Sequence, residues 1–236
     1  EWWLHQAAAR GDLPALLAAD PAARRFVNDH DPDLRTPLDR ALRSPRAGPD
    51  TVRLLLEWGA RLDVGSGHGL ATLPLTTALE AASPEKVCVL LVVAADLNAK
   101  DHHGFDPVLR AAFGCDEPPG RRLEVLRILV SRGARLDGRS SYAESAVGQA
   151  AARGRYDELG FLLDAGADAS PLRWTPLHHA AAFGSIADVE SAIAAGVPLD
   201  ARDRTDRNAW HVALIAGRPE VAAHLARCAD CRGLAG

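Results

Sequence analysis

The segment TPLHHAA at residues 175–181 constrains the fold of this chain more than any other feature, because it recurs in degraded form along the whole length. Counted from the threonine position, the copies start at Trp2, Thr36, Leu73, Asp106, Ser145, Thr175 and Asn208. The fifth residue after each start is an alanine: Ala7, Ala41, Ala78, Ala111, Ala150, Ala180 and Ala213. Successive starts are 34, 37, 33, 39, 30 and 33 residues apart. A repeat of about 33 residues predicts a stack of small units, each of which buries its apolar face only against its neighbours.

The repeat that contains this segment predicts two helices joined by a turn. Thr175 can cap the first helix because its hydroxyl accepts a hydrogen bond from a free N–H of the first turn. Pro176 suits the first helical position, where its missing N–H costs nothing. Gly184 ends this helix, since glycine adopts the left-handed conformation cheaply. A second helix is predicted over Ala187–Ala195 and ends at Gly196, after which an extended segment enters a turn.

The other copies follow the same pattern. Further first helices are predicted to end at Gly11, Gly154 and Gly217, and further second helices at Gly59, Ala94, Gly133 and Gly166. The remaining second helices are predicted over Val52–Trp58, Pro84–Val93, Arg122–Arg132, Tyr156–Ala165 and Pro219–Arg227. The pattern therefore predicts an all-α fold of about seven helix-turn-helix repeats.

These segments resemble the ankyrin repeat family over essentially the whole chain. The residues that carry the resemblance are TPLHHAA at 175–181, TPLDRAL at 36–42, GADA at 166–169, AADLNAKD at 94–101 and GARLDGR at 133–139. The resemblance implies one ankyrin-repeat solenoid over residues 1–236, with short β-hairpin loops between repeats. The approximate repeats are 1–30, 31–63, 68–100, 101–137, 140–169, 170–202 and 203–236. The family binds very different partners with one scaffold, so the fold alone does not identify the function.

Four segments depart from the regular spacing. Residues are added around Arg43–Pro49, in the glycine-rich stretch Val64–Gly69, and between the helices of the fourth repeat at Cys115–Arg122. The connection at Ala169–Pro171 is three residues short, which predicts a blunted hairpin. Insertions in such stacks map to loops, where these proteins differ from one another.

Charge and composition narrow the classes of partner. The net charge of −4, without a basic stripe, argues against nucleic-acid binding. No uncharged apolar run reaches the ~20 residues of a membrane span. Arginine dominates the basic residues, with only Lys86 and Lys100 as lysines, which is typical of a GC-rich bacterial coding sequence. The expected compartment is the cytoplasm, or the periplasm or exterior if a signal peptide was trimmed.

Neither cofactors nor metals are predicted from the sequence. Four cysteines do not form a disulfide framework in a chain of this length. The Cys228 and Cys231 pair lacks a second pair for zinc, and the adjacent His102 and His103 at a loop tip need a further ligand. We expect His5, His178 and His211, at the fourth position of the repeat pattern, to tie neighbouring loops together by hydrogen bonds.

The resemblance predicts a concave face formed by the loops and the exposed sides of the first helices. Five of the twelve aromatic residues of the chain fall in slots expected to face solvent there: Phe105, Phe113, Tyr142, Trp174 and Phe183. Aromatic and arginine side chains dominate binding energy at protein interfaces. Alternatively, Phe113 and Phe183 cover the core between first helices.

The first functional hypothesis is a protein-binding module that inhibits or regulates its partner, in a bacterium an enzyme or a toxin. The predicted partner-binding residues lie in or beside the fourth to sixth repeats and are Phe105, Tyr142, Glu144, Arg153, Trp174, His179, Phe183 and Arg207. Among them Trp174, Phe105 and Tyr142 are the expected anchors.

Two other hypotheses stay open. An enzyme or small-molecule binder would use a pocket walled by the insertions at Arg43–Pro49 and Cys115–Arg122, with His179, Glu144 and Tyr142 in the groove. No nucleophile motif, metal motif or phosphate loop occurs in the sequence, so no catalytic residue is predicted. The third hypothesis is a structural spacer within a longer protein.

Overall fold

The chain forms two compact units in the computed structural model, Glu1–Tyr142 and Ala143–Gly236. The structure describes residues 2–64, 73–93, 96–101 and 103–231. Residues 65–69 of the predicted insertion, Ala94 and His102 lie outside the described residues, as does the side chain of Cys231. The extent of one domain over residues 1–236 stays a prediction.

The first unit consists of paired antiparallel helices. Its helices are α1 (Trp3–Arg10), α2 (Leu13–Leu17), α3 (Pro37–Arg43), α4 (Pro49–Glu57), α5 (Pro74–Glu80), α6 (Pro84–Val92), α7 (Pro107–Phe113) and α8 (Arg121–Ser131), with a 3₁₀ segment at Pro21–Phe26. First helices pack on first helices, α1 on α3, α3 on α5 and α5 on α7, while α6 packs between α4 and α8. Fully buried leucines such as Leu42, Leu55, Leu90 and Leu126 fill the space between the two rows.

The second unit repeats this arrangement. Its helices are α9 (Ala146–Ala152), α10 (Tyr156–Asp164), α11 (Pro176–Phe183), α12 (Ile186–Ala194), α13 (Ala209–Ile215) and α14 (Pro219–Cys231), with a 3₁₀ segment at Ser170–Leu172. Helix α11 packs on α13 and α12 packs on α14, whereas α9 contacts α10 and the 3₁₀ segment. The prediction of an all-α fold of stacked helix pairs is confirmed.

Side-chain caps explain why the first helices begin where the sequence pattern predicts. The Thr36 hydroxyl accepts from the N–H of Asp39 at 3.2 Å, and Asp106, Ser145 and Asn208 take the same role in their repeats. Thr175 forms a reciprocal cap with His178. These bonds satisfy N–H groups that have no partner inside the helix.

The loops predicted as short β-hairpins are tight turns instead, and no β-strand occurs in the described parts of the chain. In the turn before α3, the N–H of Asp31 donates to the carbonyl oxygen of Arg35 at 3.0 Å. The Asp31 carboxylate in turn accepts from the N–H groups of Asp33 and Arg35. Because the side chain satisfies the backbone locally, the loop closes without strand pairing.

Candidate functional site

One aspartate closes the loop before the first helix in three repeats. Asp101 and Asp203 form the same two backbone bonds as Asp31, to residues two and four positions later. In two of these loops, a guanidinium also donates to the second carboxylate oxygen. Arg40 supplies it for Asp31, and Arg110 supplies it for Asp101. Sequence reasoning missed this motif, although its signal is present: the aspartate stands five residues before the threonine position and the arginine four after it.

These contacts shift the ionisation of the aspartates. Burial raises the pKa of Asp101, but hydrogen bonds from Arg110 and from the N–H groups of Phe105 and His103 outweigh it. The pKa of this carboxyl therefore lies below its ordinary value, which favours its ion pair with Arg110. The same balance lowers the pKa of Asp31 and of Asp203.

A cavity of about 690 Å³ lies in the first unit, beside the Asp101 loop. We call it the finger cavity. Its apolar lining comes from Leu62, Leu73, Leu75, Leu79, Leu90, Ala99, Phe105 and Pro107, and its polar lining from Asp63, Thr76, Glu80, Asp96, Lys100, Asp101, His103, Asp106 and Arg110. The cavity therefore lies at the third and fourth repeats, whereas the sequence predicted binding at the fourth to sixth repeats.

Phe105 and Phe113 do not project freely into solvent, because the two rings pack on each other. Both are half-buried, with centroids 5.2 Å apart in an edge-to-face arrangement. The guanidinium carbon of Arg110 lies 4.3 Å from the centre of the Phe105 ring and so covers it. One side of Phe105 still lines the finger cavity.

Tyr142 is the predicted anchor that the structure leaves free. Its side chain is 66% exposed, and its ring lies 6.0 Å from that of His103, a residue that lines the finger cavity. The N–H of Ser141 donates to the carbonyl oxygen of His103 at 2.8 Å, which fixes the two loops to each other. Tyr142 and His103 therefore form an aromatic rim beside the cavity.

Trp174, in the second unit, corrects the prediction of a solvent-facing anchor. Residues Ser170–Leu172 form one 3₁₀ turn where other repeats project a loop. The indole consequently folds inward, stacked 6.3 Å from the Tyr156 ring and 6.4 Å from the His178 ring. Its Nε1 is buried, and no acceptor contacts it within the described residues.

Arg207 is also held by its own unit. Its side chain is only 14% exposed and pairs with Asp203 at 3.3 Å. Its Nη2 donates to the carbonyl oxygen of Ala151 at 2.9 Å. A guanidinium with these partners is structural, so the prediction that Arg207 faces the groove is wrong.

The remaining predicted contacts lie in the second unit. Arg153, His179 and Phe183 are exposed and Glu144 is half-buried. His179 and Phe183 meet edge to face at 5.5 Å and line a groove of about 670 Å³ along α11 and α12. These four residues stay predictions.

The two insertions predicted to wall a pocket do so in the first unit. A cavity of about 380 Å³ is lined by residues of 42–49, by 81–86 and by Glu117, Pro118 and Arg121. Lys86 is one of the lining residues and is buried. Its ammonium group donates to the carbonyl oxygens of Ala41, Leu42 and Ser44 at 2.6–3.2 Å. All three N–H donors of this lysine are therefore occupied by backbone.

The histidine predictions are confirmed for two of three residues. His5 Nε2 bonds the carbonyl oxygen of Asp29 at 2.9 Å, and His178 Nε2 bonds that of Arg207 at 3.0 Å. Within the described residues, the His211 ring bonds its own cap, Asn208, and not a neighbouring loop. Within the described ranges, no three His, Cys, Asp or Glu side chains converge as a metal site. No described helix is long and apolar enough to cross a membrane.

The chain is similar to known repeat proteins in sequence and fold. Residues 147–232 match the family model for ankyrin repeats in three copies. The ankyrin repeat domain of Bcl-3, a unique member of the IkappaB protein family, superposes with a TM-score of 0.60 and 23% identity, over 95% of this chain and 97% of that one. The human ASB11 ankyrin repeat domain superposes with a TM-score of 0.62 and 24% identity, over 94% of this chain and 96% of that one. No curated protein matches the sequence significantly. Residues 147–232 therefore match ankyrin repeats, and the chain has the fold of an ankyrin repeat domain.

Proposed function

We propose that this chain binds a protein partner through the finger cavity and its aromatic rim. The observation that carries the proposal is the position of Tyr142, 66% exposed and next to His103 at the cavity. Large aromatic side chains are over-represented among the residues that dominate binding energy at interfaces. Tyrosine adds contact area at low entropic cost, because only two side-chain torsions are fixed.

The surroundings of the rim support binding without rearrangement. Arg110 connects Asp101 to Glu80 and covers Phe105, so the loop before α7 is fixed to α5 and α7 by charged and aromatic contacts. A surface that is already ordered loses less conformational entropy on association. Ankyrin repeat domains are used as binding scaffolds, which agrees with this arrangement.

Affinity capture from the source cell tests the proposal. The bait is the full chain, compared with the double variant Tyr142→Ala, His103→Ala and analysed by quantitative mass spectrometry. The matched control is Phe26→Ala, which removes an aromatic of 41% exposure elsewhere in the same unit. We expect at least one protein to be retained by the wild type and the control but lost from the double variant. Identical captures by all three folded baits would overturn the proposal.

A small-molecule ligand is the second candidate function. The finger cavity of about 690 Å³ lies within the roughly 300–1,000 Å³ of ligand pockets. A thermal-shift screen of small metabolites against the wild type and Phe105→Leu tests it. A ligand that stabilises only the wild type supports this function, and a screen without such a ligand rejects it.

Other finer predictions accompany the first proposal. Arg153, Glu144, His179 and Phe183 form a further contact surface on the second unit, which Phe183→Ala tests in the same capture experiment. An inhibitory role in a bacterial cytoplasm also stays a prediction.

A further inference from the structure

We infer that the finger cavity selects a lysine or arginine side chain of the partner. This inference deepens the proposed function and rests on it. The first observation is the charge of the lining, which has five carboxylates against two cations among the described residues.

Ion pairs within the chain neutralise some of these carboxylates and leave others unpaired. Asp101 is neutralised by Arg110, and Asp63 by Arg61 at 2.6 Å. Burial raises the pKa of Asp106, which also caps α7. Asp96 is exposed and has no ion pair within the described residues. Glu80 has only a 3.4 Å contact to Arg110, with its side chain 38% exposed.

Lys100 also lines the cavity, but it forms no ion pair with Glu80 or Asp96 within the described residues. Lys100 is exposed, and its Nζ donates to the carbonyl oxygen of Arg139 at 3.4 Å. Its charge acts on Asp106, where it opposes the rise in pKa that burial causes. Arg110 is already shared between Asp101 and Glu80. A partner cation therefore meets two carboxylates, Glu80 and Asp96, that the chain itself does not fully pair.

The apolar lining fits the stem of a basic side chain. Leu62, Leu73, Leu75 and Leu79 line the cavity together with Phe105, and Leu73 remains 44% exposed. Lysine and arginine bury their methylene groups along apolar surface while the charged head stays at a polar site. A glutamate would meet like charge, and a leucine would leave the carboxylates without a partner.

A peptide titration followed by NMR tests this assignment. The probes are four acetylated, amidated nonapeptides of glycine and serine that differ only at the central residue, which is arginine, lysine, glutamine or glutamate. Amide shifts of ¹⁵N-labelled full chain are recorded for each. We expect saturable shifts at Ala99, His103 and Phe105 with the arginine or lysine peptide, and at least about tenfold weaker binding of the glutamine and glutamate peptides.

Charge variants give the second measurement. Asp96→Asn and Glu80→Gln should each weaken the basic peptide by about fivefold or more, whereas Asp50→Asn, an exposed acid on α4, should leave its affinity unchanged. Equal binding of the glutamine peptide, unchanged affinity in Asp96→Asn, or shifts outside the cavity would overturn the inference.

If cellular capture depends on Tyr142 while the basic peptides fail, partner binding stands and the basic side chain is rejected. If the basic peptides bind but no capture depends on the rim, the cavity assignment stands and the partner proposal fails.

Discussion

The Nη2 of Arg207 donates to the carbonyl oxygen of Ala151 across 2.9 Å, although 56 positions separate the two residues in the chain. The bond joins the seventh repeat to the fifth and passes beside the sixth. It forms because the sixth repeat has a 3₁₀ turn at Ser170–Leu172 in place of a projecting loop. Repeats two apart in this unit therefore stabilise each other directly, in addition to their contacts with nearest neighbours.

Replacing Arg207 by methionine should destabilise the second unit by about 1–3 kcal/mol, because it leaves two buried acceptors without a donor. Urea unfolding followed by circular dichroism measures the change. The matched control is Arg204→Met, since exposed Arg204 also reaches the fifth repeat, with a 3.4 Å bond to Ala143. Equal stability of the two variants would contradict a structural role for Arg207.

His178 should make the second unit sensitive to acid. Burial lowers the pKa of His178 below its ordinary 6.5, although the bond to the Arg207 carbonyl opposes this shift. The unfolded chain then binds a proton that the folded chain resists, so stability is retained above about pH 6.5 and falls as the pH drops below it. Thermal unfolding at pH 7.5 and pH 5.5 measures this loss.

Neighbouring His179 provides the control for this pH dependence. His178→Gln should be less stable than the wild type at pH 7.5 yet lose less on acidification. His179→Gln, on the exposed side of the same helix, should follow the wild type. A wild-type loss that persists in His178→Gln would assign the acid sensitivity to other groups.

Local signals in the sequence predicted the second helices of the second to seventh repeats, but not α2 of the first repeat. Caps at Thr36, Asp106 and Thr175 set the starts of the first helices, since the hydrogen bonds involved span only three residues. The second helix predicted over Tyr156–Ala165 is observed over Tyr156–Asp164. Periodicity works here because each unit folds on contacts close in sequence.

Side-chain exposure was not predictable in the same way. The slot of Trp174 is solvent-facing in a regular repeat, but the short connection before it removes the loop that would hold it outward. The finger cavity depends on pairing between loops, such as Ser141 with His103, which no periodicity encodes. The spacing of Asp101 and Arg110 is visible in the sequence, but only the loop geometry shows that the two side chains form an ion pair.

Lys86 should contribute to stability in a pH-dependent way. Burial lowers the pKa of Lys86 to about 8, compared with 10.5 for an unburied lysine. Between these values the unfolded chain binds more protons than the folded chain, so stability rises with pH. Lys86→Met removes the donor of three carbonyl bonds and should cost about 1–3 kcal/mol, with a larger deficit at pH 9.5 than at pH 7.

The exposed Lys100 is the natural comparison for Lys86, because the chain has only these two lysines. Lys100→Met should change the free energy of unfolding by less than about 0.5 kcal/mol. A deficit of Lys86→Met that shrinks between pH 7 and pH 9.5 would contradict the assigned direction of the pKa shift.

Gly138→Ala should weaken the start of α7. A Cβ at this position would lie 1.3 Å from Oδ2 of Asp106 and 2.5 Å from its Cγ. Asp106 is buried and accepts the N–H of Leu109 at 2.8 Å, so it can move away only by giving up the cap. The expected cost is about 1–2 kcal/mol, the range of a lost cap, and urea unfolding measures it. Gly48→Ala, where a Cβ meets nothing within 4 Å, should cost only a few tenths of the free energy that Gly138→Ala costs.

A double-mutant cycle locates the collision of Gly138→Ala with Asp106, because a serine at position 106 caps in the manner of Ser145 with a shorter side chain. Gly138→Ala should cost clearly less in the Asp106→Ser background, and full additivity would place the strain elsewhere.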